Sequence, residues 1–247
     1  MLRKKIAATV AAALMTLSAS SAFASFADLE LIRVYYDRSG NEYATDLGNV
    51  KTLTAGGAST TIAGTFGSLS AGSSYAAYFA LDRSTGQLWA SNSTVTAPLI
   101  NGTANGLTTL KSGTTNMYSL YNTQGGTSYS GLASATNSYK NKISATQGNL
   151  ANAINNTYRM GTEASLASVI GTPDGSAAQT LYYWYNGTTT IAQDKIGFSL
   201  ASITTLADGS TVITSNLNPT TPIPPAFLLM GSGLLGMVGL RRKNKVA

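Results

Sequence analysis

Asp37, Ser39, Asn41 and Glu42 place oxygen ligands at alternating positions, as the first half of a calcium loop does. The sixth place of such a loop needs Gly and holds Glu42, and the twelfth needs Glu and holds Gly48. A hairpin turn accounts for the same residues, so no metal site is expected. The chain contains no histidine and no cysteine. Ser-His-Asp and Cys-His nucleophiles, zinc sites built from those ligands and disulfides are therefore excluded. Paired carboxylates of the glycosidase kind would have to come from Asp37, Glu42, Asp46, Asp82, Glu163, Asp174, Asp194 and Asp208. Most stand beside Gly, Ser or Thr, as in TPDG and ADGS, where Asp is favoured by turn chemistry alone. No pair is marked out by context, and neither catalysis nor a cofactor is expected.

Tyr182, Tyr183, Trp184 and Tyr185 form an aromatic run on a predicted strand. Alternation sends Tyr183 and Tyr185 to one face, Tyr182 and Trp184 to the other. One pair fills a core. The other either is covered too or, flanked by Gln179 and Asn186, offers flat rings on which sugars stack.

These residues sit in a body read as mainly β and sandwich-like. The chain has 247 residues, 43% hydrophobic and only 11% charged, against about a quarter charged in ordinary soluble domains. LELIRVYYD (29–37) and NEYATDLG flank Ser39-Gly40-Asn41 as a hairpin. YAAYFALDRSTGQLWAS repeats the pattern around 82–86, TLYYWYNG pairs with KIGFSLASI, and GSTVITSN closes the body. Short strands between polar turns favour a sandwich. Residues 53–74 read as loops that Ile62, Phe66 and Leu69 could anchor. Between 130 and 160, Leu132, Tyr139, Ile143, Leu150, Ile154 and Tyr158 recur at helical intervals, predicting one or two amphipathic helices packed on the strands.

The net charge of +6 comes from the ends. Without Arg3, Lys4, Lys5, Arg241, Arg242, Lys243 and Lys245, nine Lys/Arg face ten Asp/Glu, which leaves no basic patch for nucleic acid. The basic start, the apolar stretch 6–17 and Ala22-Phe23-Ala24 have the three-part form of a secretory signal peptide, residues 1–24, cut after Ala24 or else Ala27. Such a segment is handled by the Sec translocon. The body then runs from 25 to 218. In the tail, 219–247, the uncharged run 223–240 would cover roughly 27 Å as a helix, just enough to span a membrane. The cations that follow it, 241–245, stay on the cytoplasmic side, so the body lies outside.

Pro222-Ile223-Pro224, a short glycine-containing apolar run and a terminal Arg241-Arg242-Lys243 cluster resemble a PEP-CTERM sorting signal, with Ile223 where the signature has Glu. The resemblance implies processing by an exosortase-like enzyme at the inner membrane of a Gram-negative bacterium. It also implies an exopolysaccharide setting, and delivery of the body to the cell surface or extracellular matrix. It covers the tail alone. The expected role is structural or adhesive. A carbohydrate-binding module and a plain membrane-anchored periplasmic protein are the alternatives.

Overall fold

The computed structural model describes residues 25–93, 104–144, 147–150, 163–184 and 197–217, with backbone alone for 104–106. The chain divides into two compact units, Met1–Leu217 and Asn218–Ala247, and the described residues belong to the first. Ala22, Ala24, Pro222, Ile223, Pro224, the 223–240 run, Arg241, Arg242 and Lys243 lie outside the described residues, as do Tyr185 and Asp194. Among the described residues, no helix is long and apolar enough to cross a membrane.

The unit is mainly β, as expected. Its strands are β1 (Glu30–Asp37), β2 (Asn41–Asn49), β3 (Ser59–Ile62), β4 (Ser74–Asp82), β5 (Gln87–Asn92), β6 (Ser128–Leu132), β7 (Ala164–Ser165), β8 (Ser176–Trp184), β9 (Phe198–Leu206) and β10 (Thr211–Ser215). The helices are α1 (Val50–Leu53), α2 (Ala104–Tyr121) and α3 (Tyr139–Lys142). The strands form one antiparallel sheet in the order β3-β10-β9-β8-β5-β4-β1-β2-β6, with β7 beside β4. The expected pairs β1–β2, β4–β5 and β8–β9 are all present, and β10 follows where GSTVITSN predicts it.

The helical layer differs from expectation. Ser130-Gly131-Leu132 belong to edge strand β6, where Leu132 is 60% exposed, and helix within the 133–144 stretch is confined to α3. Tyr139, Ile143 and Leu150 do reach the core, while Ile154 and Tyr158 lie outside the described residues. The long helix is α2, which the sequence reading left unassigned. Its buried Leu107, Leu110, Thr114, Met117 and Tyr121 fall at helical intervals, but they sit among Thr, Ser, Asn and Gly, which favour helices poorly. Thr114, Thr115 and Ser119 turn their hydroxyls back onto carbonyls four residues earlier, so these side chains find partners within the helix. Gly113 lets the segment 142–149 approach closely: a Cβ there would meet Asn149 Nδ2 at 2.6 Å and the Lys142 carbonyl at 2.9 Å. Residues 53–74 hold strand β3, and Phe66 and Leu69 are buried as anchors.

Strand β1 is buried on both faces. Ile32, Val34 and Tyr36 pack with Ala77, Phe79, Leu88 and the helical residues Leu110, Met117 and Tyr121. Between them, Tyr35 points the other way, into a cluster with Tyr78, Leu181, Ile203 and Ile213. That second cluster exists because the sheet curls until β10 and the β3 end meet β1. The Arg33 guanidinium, 2% exposed, holds the meeting: Nη1 donates to the Gly209 carbonyl (3.3 Å) and Thr211 Oγ1 (3.1 Å), and Nη2 to the Ala63 carbonyl (3.0 Å). Tyr35 donates to the same Gly209 carbonyl at 3.0 Å, and the Tyr78 hydroxyl lies 2.7 Å from Thr205 Oγ1 and 2.8 Å from Thr211 Oγ1. Gly209, at φ +85°, offers its carbonyl from a turn no β-branched residue would adopt readily.

Glu42 holds the other face. Fully buried, it accepts from Tyr121 Oη (2.6 Å), the Tyr139 N–H (2.8 Å) and the Lys140 N–H (3.1 Å), tying β2 to α2 and to the start of α3. Burial outweighs these donors and pushes its pKa up to about 7.

Replacing Arg33 by Met removes the donors to the Ala63 carbonyl and Thr211 Oγ1 and leaves the Gly209 carbonyl to Tyr35 alone, and urea unfolding should show a loss of about 3 kcal/mol; an unchanged midpoint and slope would refute the staple. Glu42 has its folded pKa above its unfolded value, so its contribution is complete below pH 4.5 and is lost as pH rises towards 7. Stability should fall by roughly 3 kcal/mol across that window, and Glu42→Gln should flatten the fall in thermal midpoint.

Candidate functional site

The sheet sets three aromatic side chains in one cross-strand row. Trp89 on β5 pairs with Tyr183 on β8, and Tyr183 pairs with Phe198 on β9, so all three project from the same face. Exposure rises along the row, from Trp89 at 2% through a half-buried Tyr183 to Phe198 at 57%. The Trp89 and Tyr183 rings pack at 4.9 Å between centroids, inclined by 31°. Beside them opens a pocket of about 270 Å³, lined by Lys51, Thr54, Trp89, Tyr183, Leu200 and Leu217. Lys51 is presented by α1, a single turn capped by Asn49 where β2 ends. Its ammonium lies 5.9 Å from the Trp89 ring centroid, and no carboxylate among the described residues pairs with it.

The aromatic run divides as alternation requires. Tyr182 and Trp184 are buried in the cluster under the helices, at 4% and 2% exposure, and Tyr183 alone of the described three reaches the pocket. Trp89 and Phe198 were not singled out from sequence. The signal available was register: a β5–β8–β9 pairing sets 89, 183 and 198 in line.

The carboxylates are dispersed. Asp37 accepts from the Ser39 N–H (2.9 Å) and Ser73 Oγ (2.6 Å), which hold it below the usual carboxylate range. Asp82 sits in the β4–β5 turn; desolvation pushes it up, but Ser84 and Thr85 outweigh that and bring its pKa to about 2. Asp208 is held low by Ser210 in the β9–β10 turn, and Asp174 takes a left-handed turn conformation at φ +60°. Glu163 is buried at 6% exposure. Glu42 points into the interior, away from the calcium-like arrangement with Asp37, Ser39 and Asn41. Among the described residues, no group of three or more acidic side chains is placed to hold a metal ion.

One carboxyl pair escaped the sequence reading. Glu30 shares a hydrogen bond with Asp46 across β1 and β2, and its pKa rises to about 7, first through burial and then through the Asp46 charge. Asp46 is raised too, mainly by burial. The β1–β2 register shifts between Glu30, which opposes Asn49, and Ile32, which opposes Asp46.

Comparison with protein-family models, with curated proteins and with solved structures finds no match for this chain.

The Glu30 carboxyl should titrate with a midpoint near pH 7 in carbon-detected NMR. In Asp46→Asn the midpoint should move part of the way back towards 4.5, because the charge goes and the burial stays. A midpoint near 4.5 in the unsubstituted protein would exclude the pair.

Proposed function

We propose that this chain is an exported bacterial surface or biofilm-matrix protein with a structural or adhesive role, whose tail is processed by an exosortase-like enzyme. The observation that carries the reading is the tail: Pro222-Ile223-Pro224, the apolar run to Leu240, then Arg241-Arg242-Lys243. The signal-peptide pattern ending at Ala24 agrees with it in direction, since both ends put the body across the same membrane. The boundary of the compact unit at Leu217 supports it further, because a cut near Pro222 would leave that unit whole. In this reading the body is a sandwich made by one curled sheet, and its hydroxyl- and amide-rich surface serves contact, not catalysis. The partners are the Sec translocon, the processing enzyme, the inner membrane through 223–240 and, at the destination, exopolysaccharide. A carbohydrate-binding module is the second reading. What favours it is the row ending in Tyr183 and the exposed Phe198.

Intact-mass measurement on protein from the membrane and extracellular fractions of the native host tests the reading. The expected released species begins at Ser25 and ends near Pro222. A sole membrane species still carrying Arg241 to Ala247 would make the tail an ordinary anchor and overturn the proposal.

A further inference from the structure

The pocket beside Trp89 has walls of one kind and a charge of one sign. Trp89, Tyr183, Leu200 and Leu217 supply ring faces and branched carbons. Thr54 brings a hydroxyl, but that hydroxyl already donates to the Val50 carbonyl at 2.7 Å. A sugar sunk into this pocket would leave most of its hydroxyls facing carbon, which is costly. A purely apolar ligand would cover the rim near the Lys51 ammonium and give it no counter-charge, and a cation would be repelled. Lys51 is exposed, bonded to no acid among the described residues, and already drawn over the Trp89 ring at 5.9 Å. The complement to such a site has an apolar body and a single acid group. Its size follows from the volume: about 270 Å³ is that of roughly nine liquid waters, enough for a short acyl chain or one aromatic ring with its acid group.

We propose that the pocket formed by Lys51, Trp89, Tyr183, Leu200 and Leu217 binds a small amphipathic carboxylate, an acyl or aryl acid. The apolar part lies against Tyr183, Leu200 and Leu217, and the acid group meets the Lys51 ammonium at the rim. The binding is non-covalent and independent of how the chain is exported.

Isothermal titration with octanoate, octanol and a uronic-acid trisaccharide, on protein purified from cells expressing the full chain, tests it. Octanoate should bind at least tenfold more tightly than octanol. Lys51→Gln should erase that difference by weakening octanoate about tenfold while leaving octanol alone. Leu217→Glu, at a residue 36% exposed and so tolerant of change, should weaken octanoate by more than Lys51→Gln does. Equal affinities for octanoate and octanol, octanoate binding unchanged in Lys51→Gln, or no octanoate binding at millimolar concentration would each overturn the proposal. Binding of the trisaccharide with octanoate silent would overturn it in favour of a sugar site.

Discussion

A charged group buried with no carboxylate ion-paired to it among the described residues constrains how this sheet is shaped. Arg33 stands on β1, third from the β6 end of the strand order, and its guanidinium reaches residues 63, 209 and 211 near the other end. A lysine would do this less well, because its three donors radiate from one nitrogen, whereas Nη1 and Nη2 of the planar guanidinium each serve a separate segment. Burying the charge is unfavourable in itself, so the carbonyls must be aimed at it. Gly64 and Gly209 make room. A Cβ on Gly64 would fall 2.5 Å from the guanidinium nitrogens, and one on Gly209 would meet the Thr65 backbone at 2.7 Å. The curl is thus written into one arginine and the two glycines that let backbone close around it.

Once the sheet is curled, β1 becomes a wall shared by two cores, and each of its side chains is committed to one of them. Even-numbered residues Ile32, Val34 and Tyr36 meet the helices, and odd-numbered Arg33 and Tyr35 meet the far strands. A strand hydrogen-bonded on both sides and covered on both faces leaves little room for sequence change. The helical layer could in principle slide over the first face, since apolar packing is non-directional. Glu42 prevents that by collecting three donors from two different helices. Arginine on one face and glutamate on the other do the same job with directional hydrogen bonds: each turns a greasy contact into a single register.

Strands proved readable where their local pattern was self-sufficient. The β1–β2 and β4–β5 hairpins carry turn residues between apolar runs, and both lie where those residues put them. Helix α2 was not readable in the same way, since its buried stripe passes through Thr114 and its neighbours are hydroxyls and amides that mimic a loop. Its stability comes from packing on Phe79, Leu81 and Leu88, which lie in other parts of the sequence. Conversely Leu132 completed a helical interval with Tyr139 by coincidence: it sits on an edge strand paired with Asn41. Among site residues, Tyr183 was visible as part of an aromatic run. Trp89 and Phe198 were not, because register across strands is a long-range property.

The pocket depends on one irregularity in that register. Up to Leu181, which pairs with Ala201, β8 and β9 run in step; from Tyr182 the pairing shifts by one. Without the shift, Tyr183 would oppose Ser199, and the aromatic row would end at a hydroxyl. With it, Tyr183 opposes Phe198, and Leu200 joins Ala201 in facing the same cluster, against strict alternation. A bulge of this kind leaves a residue unpaired and gives up regular ladder bonding. Here it exchanges a polar neighbour for two apolar ones at the same place, beside the end of β2 where α1 presents Lys51. The exchange adds Leu200 to the second core and, at the same point, makes the apolar wall of the pocket.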